Sequence, residues 1–201
     1  MSSTNRSNAR DTHISDYYVT PIDCIRDFFK AWLDDMKDIE DFLSVGHQIN
    51  EMLFLDPCAG GDKKHPMSYP KFITEELGAG IETIDIREDS LAECKEDFLT
   101  KEFQHEYDIV ITNPPFNLAQ EIIEKALSIT QEGGYVIMLL RLNFFGSKAR
   151  KPFWDKQLPV CAYVHHRRMS FTDDKKTDSI EYIHAVWQKG IYPKNVKLKI
   201  I

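Results

Sequence analysis

No apolar run approaches the roughly 18 residues that a membrane-spanning helix needs, so no membrane partner is expected. The four cysteines, Cys24, Cys58, Cys94 and Cys161, are far apart and include no Cys-x-x-Cys pair. They read as reduced packing residues, neither a disulfide framework nor zinc ligands. The seven histidines form no His-Glu-x-x-His or similar cluster, so no metal site is expected. Both Gly-x-Gly-x-x-Gly and a Gly-Lys-Ser/Thr loop are missing, which argues against a phosphate-bearing cofactor. Nothing repeats internally. Residues 1–12 are polar and lack the apolar core of a secretion signal, and a disordered tail is expected there.

Basic residues are scarce in the front of the chain. Residues 1–140 hold 12 Lys/Arg against 27 Asp/Glu, residues 141–201 hold 13 against 5, and the net charge is −7. The overall sign disfavours a polyanion, but its distribution directs any such partner to the C-terminal third. There Arg141, Asn143, Lys148, Arg150, Lys151, Arg167 and Arg168 are interleaved with Phe144, Phe145, Phe153, Trp154 and Phe171. Phosphate neutralisation beside stacking surfaces is what nucleic acid requires. The same aromatic residues suit a core, and Trp154 and Trp187 are expected there.

Strand and helix patterns alternate. Ile22, Ile25, Phe28, Phe29, Trp32 and Leu33 recur at helical spacing after Thr20-Pro21, predicting a helix with Thr20 as N-cap and Pro21 at its first position. Residues 34–41 are acidic and read as a solvated turn. Strands are predicted at residues 52–55, 81–84, 107–111, 135–140, 160–164 and 182–188, with helices at 69–77 and 119–129, and Gly133-Gly134 as a turn. This order points to a doubly wound, mostly parallel α/β sheet, whose carboxyl edge is the expected ligand site. Three loops fall at that edge. Asp56-Pro57-Cys58-Ala59-Gly60-Gly61-Asp62 has small residues that let backbone approach a ligand. Asp85-Ile86 ends the second strand, where an acid can accept ribose hydroxyls, and Asp97-Phe98 offers an acid beside a ring.

The third strand ends in Asn113-Pro114-Pro115-Phe116. The prolines fix the local backbone, so the Asn113 amide oxygen and the Pro114 carbonyl can stand as two acceptors. Two acceptors on a planar –NH₂ group draw its protons and turn its lone pair out of the ring plane towards an electrophile. Phe116 supplies a face on which a heteroaromatic ring can stack. A strand-ending turn uses the same residues, so the tetrad alone does not decide between the two readings.

Taken with Tyr17-Tyr18-x-Thr20-Pro21 and Arg167-Arg168-Met169-Ser170-Phe171, these loops resemble the class I S-adenosylmethionine-dependent methyltransferases. The resemblance is to the DNA adenine amino-methylating type, most closely the small enzymes of bacteriophages and mobile elements. It spans about residues 14–190. It implies a Rossmann-like seven-stranded sheet with an antiparallel last strand. A single domain over residues 13–201 would have a cofactor half to about residue 106 and a catalytic half from 107. S-adenosylmethionine would be bound by Tyr18, Thr20, Pro21, Asp56, Pro57, Cys58, Gly60, Asp85, Ile86, Asp97, Phe98 and Asn113. Asn113, Pro114, Pro115 and Phe116 would be the catalytic tetrad. Phe116, Arg141, Asn143, Lys148, Arg150, Arg167, Arg168 and Phe171 would meet the substrate, with loop 172–179 and segment 143–156 against DNA.

Two departures stand out. Asp62 occupies the last glycine position of the family's first loop, where a carboxylate can disturb the cofactor. No insert is large enough to be a target-recognition domain, which leaves specificity to short loops or to a partner subunit, a second copy or a separate specificity subunit, or leaves it loose. The resemblance implies N6-adenine methylation of DNA in the cytoplasm of a bacterial host. RNA or protein-glutamine methylation and a non-catalytic relative of the fold remain alternatives.

Overall fold

A computed structural model describes residues 18–37, 48–171, 177 and 179–201. The 1–12 tail, Tyr17 and most of the 172–179 loop lie outside these, as does the acidic stretch beyond Lys37. The sheet is built from β1 (Phe54–Asp56), β2 (Ile81–Thr83), β3 (Tyr107–Thr112), β4 (Thr130–Arg141), β5 (Cys161–Val164), β6 (Tyr182–Gln188) and β7 (Lys197–Ile200). Its order is β2-β1-β3-β4-β6-β5-β7. Strands β2, β1, β3 and β4 run parallel, whereas β6 is antiparallel to both β4 and β5. The seven-stranded, mostly parallel expectation holds, and the antiparallel strand is the one at 182–188. β7 follows it in the chain and runs parallel to β5, so β6 is the last strand but one. The sequence gives little sign of β7: of its four residues only Lys199 is even half-buried, and Leu198 and Ile200 are exposed.

The strands alternate between two cores, as the two-residue period of a strand requires. Phe54, Ile109, Ile111, Tyr135, Ile137 and Val186 face one side, where α1 (Ile22–Lys37) brings Ile25, Phe28, Phe29, Trp32 and Met36. Those five positions form one stripe of the helix, each worth about 1.5–3 kcal/mol when buried. The second helix, α2 (Ser68–Phe72), packs on the same face and continues into a π-turn over Ile73–Leu77, ended by Gly78 at φ 68. Leu55, Val110, Val136, Met138, Leu140 and Trp187 face the other side, covered by α3 (Ala119–Ile129) and by α4 (Lys151–Trp154). Trp187 is fully buried as expected, whereas Trp154 is only partly so.

Two local expectations are corrected. Pro21, not Thr20, caps α1: its carbonyl accepts the first helical bonds from Cys24 and Ile25, and the Thr20 side chain is spent on Asn113. Gly133-Gly134 does not begin β4 but lies within it, where the register on β3 shifts. Gly134 is required there, because a Cβ would stand 2.6 Å from the Asp108 carbonyl oxygen.

The chain steps from β1 outward to β2, then back across β1 to β3. Parallel strands that part in this way leave a crevice beyond their carboxyl ends. Asp56, Asp85 and Asn113 stand at or just past those ends.

Candidate active site

A cleft of about 850 Å³, its open mouth included, sits at that crevice. Its walls include Tyr18, Thr20, Asp56, Pro57, Cys58, Asp85, Ile86, Asp97, Phe98 and Asn113. Ten of the twelve residues expected around the cofactor thus share one cleft. Pro21 and Gly60 do not line it. The Pro21 carbonyl is taken by α1, and Gly60 donates its N–H to Asp85 at 2.8 Å. Val19, Ser68, Tyr69, Arg87, Leu118 and Ile122 also line the cleft and escaped the sequence reading, since each has an ordinary helix or loop context.

The acids are set by distinct partners. Asp85 is buried, accepting from the Gly60 N–H on one oxygen and the Arg87 N–H on the other, which ties the first two loops together. The Asp97 carboxylate accepts from Leu99 N–H at 2.9 Å. Asp56 is 1% exposed. Burial pushes its carboxyl up to about 7, the Thr112 hydroxyl and the Cys58 N–H pull it down, and the Asp85 charge pushes it further up. The Cys58 thiol is likewise raised by burial and by the Asp56 and Asp85 charges, so it is held protonated and is no nucleophile.

Asp62 turns away from the cleft. Its carboxylate accepts from the Lys64 and His65 N–H groups at 2.7 and 2.8 Å and meets the His65 ring at 3.2 Å. Partial burial raises its pKa, but these bonds outweigh that and leave it below the ordinary value. The glycine before it makes the close approach: Gly61 has φ +77, and a Cβ there would stand 2.7 Å from Met67.

Asn113 is held by one end only. Its amide nitrogen donates to Thr20 Oγ1 at 3.2 Å and to the Tyr18 carbonyl at 3.4 Å. Among the described residues no donor meets its oxygen, which is left as an acceptor on a residue that lines the cleft. Pro115 lines the cleft while Pro114 is buried. Phe116 belongs to a ring of four aromatics with Tyr18, Phe171 and Tyr182, at centroid separations from 4.8 to 6.4 Å. The Arg141 guanidinium lies 4.3 Å over the Phe116 ring, on a face that a stacked base would need.

Pro114 and Phe116 of the tetrad do not line the cleft, nor do Arg141, Asn143, Lys148, Arg150, Arg167, Arg168 and Phe171. Asn143 and Lys148 are exposed. Arg150 packs over Phe144 at 4.0 Å and donates to its carbonyl. Arg167 pairs with Asp27 at 3.0 Å and Arg168 with Glu181 at 3.8 Å. These are exposed pairs worth about 0–1 kcal/mol, which a phosphate can displace.

No family model and no curated protein matches this chain. Solved structures do. A candidate RNA methyltransferase from Pyrococcus horikoshii superposes with a TM-score of 0.62 at 18% identity, covering 88% of this chain and 89% of that one. A candidate class I S-adenosylmethionine-dependent methyltransferase from Listeria monocytogenes gives 0.54 at 14% identity, over 76% and 59%. The fold is that of class I methyltransferases. A modification subunit of a candidate type I restriction enzyme from Vibrio vulnificus shares it at 0.55 and 10% identity, over 86% of this chain but 44% of that one. The chain thus spans less than two thirds of the Listeria and Vibrio proteins. Within this methyltransferase fold, no described helix is long and apolar enough to cross a membrane.

Proposed function

We propose that this chain transfers the methyl group of S-adenosylmethionine to the exocyclic N6 amino group of adenine in DNA, in the cytoplasm of a bacterial host. The observation that carries the reading is the one-sided anchoring of Asn113, which leaves its amide oxygen beside the cleft as an acceptor. The residues fit the cofactor. Asp56 offers a carboxylate to an ammonium group, Asp85 one to ribose hydroxyls, and Ile86, Phe98 and Leu99 an apolar slot for a purine. S-adenosylmethionine supplies an electrophilic methyl group on a sulfonium.

The chain's own residues then do three things. Asn113 Oδ1 and the Pro114 carbonyl accept hydrogen bonds from the two N–H groups of the amino nitrogen, which localises its lone pair towards the methyl, and the nitrogen sheds one proton to water after transfer. Phe116 stacks on the flipped base, offsetting the few kcal/mol of unstacking. The basic C-terminal third neutralises the backbone of the duplex, with target choice left to short loops, a second copy or a specificity subunit.

Asn113→Ala tests the assignment. Transfer of labelled methyl to duplex DNA is expected to be lost, while S-adenosylmethionine binding by calorimetry changes less than about threefold. Full activity in that variant removes the tetrad from the mechanism. Single-stranded DNA, RNA and a glutamine peptide run in parallel decide the substrate, and transfer to one of those instead of duplex DNA overturns the DNA reading.

A further inference from the structure

A buried polar chain runs inward from Asn113, and its two far members, His184 and His165, do not line the cleft. Asn113 Nδ2 donates to Thr20 Oγ1, and the Thr20 hydroxyl meets the Tyr69 phenol. The Tyr69 hydroxyl lies 2.9 Å from His184 Nε2, and His184 Nδ1 lies 2.7 Å from His165 Nε2. Tyr69, His184 and His165 are 2%, 0% and 5% exposed, and the His184 ring is stacked on Phe28 at 4.2 Å.

Two buried imidazoles facing each other share one proton between the facing nitrogens. Burial lowers both histidines, His165 to about 4, so the pair stays neutral at neutral pH. Tyr69 is held as the phenol by burial and by the Asp56 charge. With His184 Nε2 accepting from Tyr69, the tyrosine oxygen can accept only from Thr20, and the Thr20 oxygen can accept only from Asn113. Reversing any link turns the Thr20 proton towards Asn113 and favours the flipped amide, with its –NH₂ in the cleft. The Tyr18 carbonyl opposes that flip, but from 3.4 Å.

We propose that Tyr69, His184 and His165 are positioning residues that fix the direction of this hydrogen-bond chain, and so hold the Asn113 amide oxygen towards the substrate's amino group. The inference rests on the role given to Asn113 above. Its readout is the exchange with water of the Asn113 side-chain amide protons in ¹⁵N-labelled protein, assigned by their disappearance in Asn113→Ala. Tyr69→Phe removes one oxygen, and it is expected to speed that exchange about tenfold, the worth of one neutral hydrogen bond. His184→Leu is expected to do the same, and His184→Gln, which returns an acceptor near Nε2, to restore slow exchange. Where transfer is measured, His184→Leu lowers kcat about as much, and His184→Gln restores it.

Wild-type exchange rates in Tyr69→Phe, or equal rates in His184→Leu and His184→Gln, overturn the inference. The exchange measurement needs neither substrate nor cofactor. Absence of methyl transfer on every substrate therefore refutes the proposed function alone, and unchanged exchange in an active protein refutes the positioning chain alone.

Discussion

The buried carboxyl of Asp56 makes cofactor binding depend on pH in a calculable way. The group is 1% exposed, and burial, opposed by Thr112 and the Cys58 N–H, pushes it up to about 7. In the proposed complex the ionised form attracts the ammonium group of the methionine end, so a protonated Asp56 must release its proton on binding. Free protein is about nine-tenths ionised at pH 8 and about one-tenth at pH 6, so the apparent Kd should rise about tenfold, on the order of 1.4 kcal/mol. The ligand's own amino group has the opposite dependence, since acid only charges it further. Titration calorimetry at pH 6, 7 and 8, in two buffers of different ionisation enthalpy, reads both numbers. Close to one proton should be released per cofactor bound at pH 6 and almost none at pH 8. Asp56→Asn should bind more weakly at pH 8 and lose the dependence. An affinity constant from pH 6 to 8, or no proton release at pH 6, refutes the placement of the ammonium at Asp56. The free protein carries the linked effect on stability. The folded-state pKa lies above the unfolded value, so the native state holds the proton more tightly. Stability therefore falls as pH rises from about 4 to about 7, by on the order of 4 kcal/mol. Asp56→Asn should flatten that slope in urea titrations.

Three further substitutions probe the loops. Gly61→Ala puts a Cβ 2.7 Å from Met67 at a φ of +77, and should cost about 1–3 kcal/mol in chemical denaturation and weaken the cofactor by at least tenfold. Asp62→Ala should leave the cofactor Kd within about twofold, because that carboxylate faces its own turn, while thermal unfolding shows a loss of about 1 kcal/mol. The Asp62 pKa is lowered on folding, so its stabilisation is present above the ordinary carboxylate pKa and fades as the pH falls through the folded value. Arg141→Ala uncovers the Phe116 ring and removes a cation near the target base; KM for nucleic acid should rise, and the slope of log affinity against log salt should shrink by about one charge.

Much of this was written in local patterns. A strand that ends in Asn-Pro-Pro must place Asn113 at the sheet edge, because proline cannot continue the ladder. An acidic or small-residue loop after each parallel strand must reach the same edge, because parallel strands share their direction. The parallel part of the sheet and the cleft residues at the ends of its strands followed from these two rules, whereas the antiparallel strand at 182–188 and the places of Tyr18 and Thr20 were implied by the family resemblance. What the tertiary structure alone decided were contacts between distant segments. Thr20 reads as a helix cap by its neighbours, yet its hydroxyl is claimed by Asn113, 93 positions away. Asp62 reads as an intruding charge in the glycine loop, yet the turn it closes points it elsewhere. His184 and Tyr69 carry no signal, being one residue in a buried strand and one in a short helix, and only folding sets them 2.9 Å apart. Periodicity and turn chemistry are properties of neighbouring residues and survive in one dimension. Which of its possible partners a polar side chain takes is settled by packing, and packing exists only once the chain has closed on itself.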